Sequence, residues 1–187
     1  PLFRWIVGDV SLDGLCVLNQ AVKAIAKLYK NQLDLLLCSN ATGVTCRQGI
    51  HSIARAFGIQ VYEQCWSELP ISQSAVLREF DVKSEAGIPR GRQGTFWKLC
   101  PPRLRINSHE IICDNDIIIA NRLSQIEEFL TGDRVLLMKE DACCSGKYFQ
   151  LFDDQGNYNS GLYGLPPGYD FSKALIFLAA ILFCLLL

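Results

Sequence analysis

Apolar and polar positions change period repeatedly along the chain, from that of a strand to that of a helix and back. Phe3-Arg4-Trp5-Ile6-Val7 has the make-up of a short strand, stopped by Gly8-Asp9. Leu18, Ala21, Val22, Ile25, Leu28 and Tyr29 then recur at helical spacing and predict an amphipathic helix of about 15 residues. Leu33 to Cys38 is an apolar run of the kind found in a strand buried on both faces, and Ser39-Asn40-Ala41-Thr42-Gly43 ends it with turn chemistry. Ile50, Ile53, Ala54 and Phe57 mark a second helix with Gly58 placed as its stop, and Ile59 to Tyr62 reads as a third strand.

This β-α-β-α-β order predicts an α/β domain, a three-layer α/β/α arrangement around a mixed, mostly parallel sheet. Such sheets bind ligands outside the carboxyl ends of their strands. Asp9 and Asn40 follow the first two strands, so they are placed where a nucleotide would bind.

The second half is less regular. Trp66 to Thr95 shows no clear period. Within it, Gly87-Ile88-Pro89-Arg90-Gly91-Arg92-Gln93-Gly94 reads either as a lid over anionic phosphates or as a solvated linker. Apolar residues flank Asp114-Asn115-Asp116 on both sides in the stretch His109 to Ile119, which predicts a strand carrying two acids. Ser124-Gln125-Ile126-Glu127 has the form of a capping box opening a short helix that Gly132 ends, and Val135 to Met138 reads as a further strand.

Composition narrows the function. The 187 residues are half hydrophobic and carry a formal net charge of −1. That supports one sizeable core, here assigned to residues 1–173, and makes nucleic acid a poor partner. Nine cysteines at irregular spacing contain no C-x-x-C pair, so they read as reduced core thiols rather than a zinc site. Reduced thiols favour the cytoplasm, and no signal peptide is visible at the start. Ala174 to Leu187 is an uncharged apolar tail, shorter than the ~20 residues of a membrane span. It reads as a buried helix, a membrane contact, or an aberrant end.

Candidate chemistry centres on the acids. Residues i and i+2 of a strand share a face, so Asp114 and Asp116, both read as strand residues, would converge on one cation. Two close carboxylates repel each other unless a cation intervenes. A hard divalent ion, Mn²⁺ or Mg²⁺, takes one or two carboxylates and completes its shell with water and substrate phosphates.

The segment from Thr95 to Ile119, T-F-W-K-L-C-P-P-R-L-R-I-N-S-H-E-I-I-C-D-N-D-I-I-I, resembles the core of retaining glycosyltransferases of the type-A fold related to glycogenin and the bacterial lipopolysaccharide galactosyltransferases. Tyr158-Asn159-Ser160-Gly161-Leu162 is similar to the downstream N-[AS]-G element of that group. The resemblance implies a metal-dependent transferase that moves a hexosyl group from a nucleotide diphosphate sugar, a UDP-sugar foremost, to a sugar or glycan acceptor. It further implies that Asp114 and Asp116 hold the metal on the donor's diphosphate, with Asp114 and Asn115 close to the nucleotide sugar. Lys98 would stand near the phosphates or ribose in place of the family's usual Arg, without Arg's bidentate fork. Asn159 would face the donor or acceptor sugar, and Asp9 and Asn40 would line the base and ribose pocket.

The family's late histidine motif has no counterpart, because the two histidines, His51 and His109, both precede the acids. No residue stands out as base or nucleophile, which leaves the stereochemistry open. His109-Glu110 reads as structural rather than acid/base, Cys143-Cys144 as ordinary loop thiols, and Trp97 as core or as a base-stacking ring. Two competing functions are a sugar nucleotidyltransferase and a truncated, non-catalytic nucleotide-binding relative. Val7 to Gly14 is too poor in glycine, and too devoid of Lys and Arg, for the first.

Overall fold

The computed structural model describes residues 1–29, 31–64, 102–139 and 158–169. Lys98, the glycine-rich loop at 87–94, Trp97, Cys143-Cys144 and the tail at 174–187 lie outside them. The described elements are β1 (Leu2–Val7), α1 (Leu12–Leu28), β2 (Asp34–Ser39), α2 (Val44–Phe57), β3 (Gln60–Glu63), β4 (Glu110–Asp114), α3 (Ser124–Thr131), β5 (Leu136–Lys139) and β6 (Tyr158–Leu165).

Six strands form one sheet in the order β3-β2-β1-β4-β6-β5. The β1–β2, β1–β4 and β2–β3 pairs are parallel, whereas β6 runs antiparallel to both β4 and β5. The sheet is therefore mixed and mostly parallel, as the order of strand and helix patterns predicts. β1 lies at its centre, and all six of its residues are buried. That is why its sequence is a run of large side chains without polar alternation.

The two faces divide the core. Phe3, Trp5, Val7, Leu37, Ile111 and Cys113 pack with Leu18, Val22 and Ile25 of α1, Ile50 and Ile53 of α2, and Ile126 and Phe129 of α3. All three described helices thus form the layer on one face. The opposite face gathers Ile6, Cys38, Ile112, Tyr163 and Leu165, with Leu104 and Tyr169 against them.

Several local signals hold. Ser11 caps α1 by accepting from the Gly14 N–H at 3.2 Å. Gly58 ends α2 in the left-handed region at φ 65°, returning its N–H to the carbonyls of Ala54 and Arg55. Gly132 follows α3 as expected. Cys16, Cys38, Cys46 and Cys113 are free thiols. Burial pushes the Cys38 thiol up to about 11, while neighbouring Arg4 pulls the other way.

Three expectations are corrected. The strand predicted across His109 to Ile119 stops at Asp114, and Asn115-Asp116 turn away from the sheet. The capping box at Ser124 is not formed: Leu123 is the N-cap, no side chain bonds to the cap, and Ser124 Oγ meets Gln125 Oε1 at 3.4 Å. The Leu123 N–H is taken instead by Tyr29 Oη at 3.0 Å, from the end of α1. A tertiary partner thus takes the N-cap N–H that the returning side chain of a capping box would have taken. The last predicted strand begins one residue later than read, at Leu136 rather than Val135.

Beneath the second face lies an ion cluster that the hydrophobic pattern does not reveal. Arg4 and Glu110 are completely buried, and Arg103 is nearly so. Arg4 Nη2 stands 2.8 Å from Glu110 Oε2 and donates to the Pro102 carbonyl at 3.0 Å. Arg4 and Glu110 thus form a fully buried ion pair. Arg103 Nε lies 3.3 Å from Glu110 Oε1, and the Arg103 guanidinium donates to the carbonyls of Pro166, Tyr169, Ser108 and Arg105. The Arg105 N–H also donates to Glu110 Oε1. One carboxylate is shared between two guanidinium groups, tying the 102–108 and 166–169 segments to the underside of β1 and β4.

Candidate functional site

The chain fills the sheet outward from β1 in one direction through β2 and β3. It then returns to the other side of β1 with β4. The junction of β1 and β4 is therefore the point at which the strand order reverses, and sheets of this kind bind ligands at the carboxyl ends of the strands there. Register carries Asp114 to this place: it pairs with Ile6, just before β1 gives way to Gly8-Asp9. Asp114 shares the face of Ile112 and Glu110, two and four residues back along the strand.

Three of the predicted segments converge on this one edge of the sheet. Asp9 follows β1, Asn40 follows β2, and Asp114-Asn115-Asp116 close β4. Asn159 reaches the same edge from the other direction. Because β6 is antiparallel to β4 and pairs Leu162 with Cys113, its opening residues lie beyond the carboxyl end of β4, where Asn159 pairs with Met138. Lys98 lies outside the described residues.

Asp9 is bonded to the segment that opens α2. Its Oδ1 accepts from the N–H groups of Thr42 and Gly43 at 3.0 and 2.9 Å, and its Oδ2 from the Thr42 hydroxyl at 2.8 Å. The Gly43 N–H, the largest influence, together with the two Thr42 bonds holds its carboxyl below the usual carboxylate range, although burial, second in size, opposes them. Gly43 is the N-cap of α2 and brings no side chain of its own, and the first turn of α2 has no acidic residue. Asp9, arriving from the β1–α1 loop, supplies the missing negative charge at the positive end of the helix. A Cβ at Gly43 would come within 3.3 Å of Asp9 Oδ1, so glycine leaves room for this approach.

Asn40 stands beside Gly8, and its N–H donates to the Val7 carbonyl at 3.2 Å. Its Oδ1 is buried and has no hydrogen-bond partner among the described residues. Buried carbonyl oxygens are ordinarily hydrogen-bonded, so this one has an unused acceptor at the edge.

Asp114 and Asn115 are half-buried, and Asp116 is exposed. Asp114 ends the strand and Asp116 sits in the turn, so the pair does not line one strand face as the spacing predicts. Among the described residues no group of three or more His, Cys, Asp or Glu side chains is gathered to hold a metal. The oxygen donors present fit a hard divalent cation with one or two protein carboxylates and an otherwise solvent- or phosphate-filled shell. They do not fit a closed thiolate or imidazole cage.

Thr42, Gly43 and Cys46 are the residues that sequence reasoning missed. Their signal was faint: a Thr-Gly pair at the mouth of a helix that lacks its own cap. His109 is structural, as the sequence suggests, with Nε2 2.8 Å from the Gly132 carbonyl and its ring edge-on to Phe129 at 4.9 Å. Glu110 belongs to the buried ion cluster.

This is the α/β fold, with a mixed and mostly parallel sheet, of solved glycosyltransferases, of which three serve as examples. Mouse xyloside xylosyltransferase 1, in its apo form, matches with a TM-score of 0.53 at 15% identity, over 94% of this chain and 68% of that one. The apo bifunctional glycosyltransferase WbbM matches at 0.55 and 12% identity, over 95% of this chain and 33% of that one. The galactosyltransferase LgtC, in complex with donor and acceptor sugar analogues, matches at 0.52 and 12%, over 92% of this chain and 62% of that one. The chain thus spans a third of WbbM and somewhat less than two thirds of LgtC. At these identities the likeness is one of fold. No protein-family model matches the sequence, and no curated protein matches it.

Proposed function

We propose that the chain is the donor-binding core of a metal-dependent glycosyltransferase that moves a hexosyl group from a nucleotide diphosphate sugar, a UDP-sugar, to a sugar or glycan acceptor. The observation that carries this reading is the placement of Asp114 at the β1–β4 junction, on the same edge as Asp9 and Asn40.

Each residue then has a task. Asn40 offers a buried acceptor to the base or ribose. Asp9 fixes the two loops that frame that pocket. Asp114 and Asp116, with Asn115 between them, hold Mn²⁺ or Mg²⁺ against the diphosphate, and Asn159 faces the sugar. Lys98 meets the phosphates or ribose. The bound cation supplies charge neutralisation for the departing diphosphate. In the transfer, the bond from the sugar's anomeric carbon to the phosphate oxygen breaks and one to an acceptor hydroxyl forms, with the hydroxyl proton passing to a base that the described residues do not identify. A reducing, cytoplasmic location with a membrane contact through the 174–187 tail completes the proposal; the free thiols are in keeping with it.

Calorimetric titration of the protein with UDP, in Mn²⁺ and again in EDTA, tests the reading. Binding in Mn²⁺ that EDTA removes is the expected result. Equal affinity in both would overturn the metal bridge, and no binding in either would overturn the donor site itself.

A further inference from the structure

Gly8, Asp9 and Val10 form the turn that leaves the centre of the sheet, and each of the three is tied to the segment that opens α2. Asp9 takes the N–H groups of Thr42 and Gly43. On either side of it, one thiol takes both neighbours: Cys46 Sγ accepts from the Val10 N–H at 3.5 Å and donates to the Gly8 carbonyl at 3.6 Å. Both lengths are ordinary for sulfur, whose larger radius lengthens its hydrogen bonds. Cys46 is buried at 7% exposure and lies 36 residues from Val10 in the chain, so this is a tertiary contact, not a local turn.

The geometry points to Cys46 as a positioning residue for the donor pocket. A turn free to pivot about Gly8 would leave Asp9 and the neighbouring Asn40 in several arrangements. Bonding both a carbonyl and an N–H of that turn to one buried side chain removes two of its backbone groups from competition with water and fixes them relative to α2. The thiol and the Asp9 carboxylate act together, so the loops after β1 and β2 move as one body. Cys46 itself touches no substrate in this arrangement. Its effect passes through the backbone at 8–10. The inference rests on the donor site proposed above, although the latch can be detected without any ligand.

The functions of Cys46 as donor and acceptor can be separated from its bulk. Serine keeps an O–H donor and an acceptor with a slightly shorter reach, whereas alanine keeps neither. Hydrogen–deuterium exchange is measured on wild-type protein, Cys46→Ser and Cys46→Ala, together with UDP affinity in Mn²⁺ and thermal melting. Faster exchange across 8–11 is expected in Cys46→Ala and substantial recovery in Cys46→Ser, with β2 peptides at 34–38 unchanged in both. UDP affinity should fall by about five- to tenfold in Cys46→Ala, the range of one lost hydrogen bond, and recover to within roughly threefold in Cys46→Ser. Equal exchange at 8–11 in all three proteins overturns the latch, whether or not nucleotide binds. Altered exchange with undiminished UDP affinity overturns its role in positioning the donor. Failure of wild-type protein to bind UDP sinks the donor-site reading instead, and with it the positioning role, while the exchange data still decide whether the latch exists.

Discussion

Asp114 stands directly across the β1–β4 ladder from Ile6, which places the last residue of β4 at the point where the central strand runs out. Asp116, two residues on, is exposed in the following turn. Changing Asp116 to Asn keeps the shape and one oxygen but removes a negative charge. The variant is expected to keep its fold and to lose most of the Mn²⁺-dependent rise in melting temperature, because ligand stabilisation requires binding to the native state. Asp114→Asn should do the same. Melts of all three proteins with and without Mn²⁺ are the test. A variant with the full wild-type shift would take its residue out of the metal site. If no cation binds there, Asp116→Asn should relieve carboxylate repulsion and raise the melting temperature in the absence of metal.

The buried ion cluster predicts the largest loss of stability. Glu110→Ala leaves Arg4 and Arg103 buried without their shared carboxylate, and removing one partner of a buried pair costs about 3–5 kcal/mol. Urea unfolding should show this as a lower midpoint at unchanged slope. A loss below ~1 kcal/mol would mean that water or a rearranged segment solvates the two guanidinium groups.

Packing gives an independent check on the antiparallel strand. Phe129 of α3 lies over Gly164 so closely that a Cβ there would meet the ring at 2.6 Å and Leu136 at 3.0 Å. Gly164→Ala should therefore destabilise by about 1–3 kcal/mol, the range for overpacking a filled core. Pairing it with Phe129→Leu should restore part of the loss. If the two changes are simply additive in chemical denaturation, the ring does not pack on this strand.

The pH dependence of Asp9 has a definite sign. Its carboxyl lies below the ordinary range in the folded protein, chiefly because of the Gly43 N–H, whereas unfolding returns it to about 3.9. Its contribution is full above the unfolded value and disappears as pH falls through the lower folded one. The stability gap between wild type and Asp9→Asn should be constant near pH 7 and close progressively below about pH 4. The gap should be modest, since Asp9 is exposed and solvent screens its charge. A gap that widens in acid would contradict the assignment.

Much of the framework follows from the sequence alone. The alternation of apolar runs with helical periods specifies β1, α1, β2, α2 and β3, because a strand buried on both faces and an amphipathic helix have different periods. Gly58 marks its helix end by the same kind of local rule, since a left-handed residue is needed there. The positions of Asp9 and Asn40 at strand ends follow from that order.

Tertiary structure alone decided the rest. The apolar residues on both sides of Asp114-Asn115-Asp116 suggest a strand running on to Ile119, but these turn-favouring residues break it, and β1, its partner in register, ends just beyond Ile6. The N-terminal ends of α2 and α3 gain partners from distant residues, Asp9 for one and Tyr29 for the other, which no nearby capping pattern could disclose. The same holds for Arg4, which sits in an apolar strand and is accommodated there because Glu110 and the Pro102 carbonyl meet it from distant parts of the chain. Short-range periodicity records which faces must be buried. It does not record which polar groups meet inside, because those pairs are chosen by the way distant strands come together.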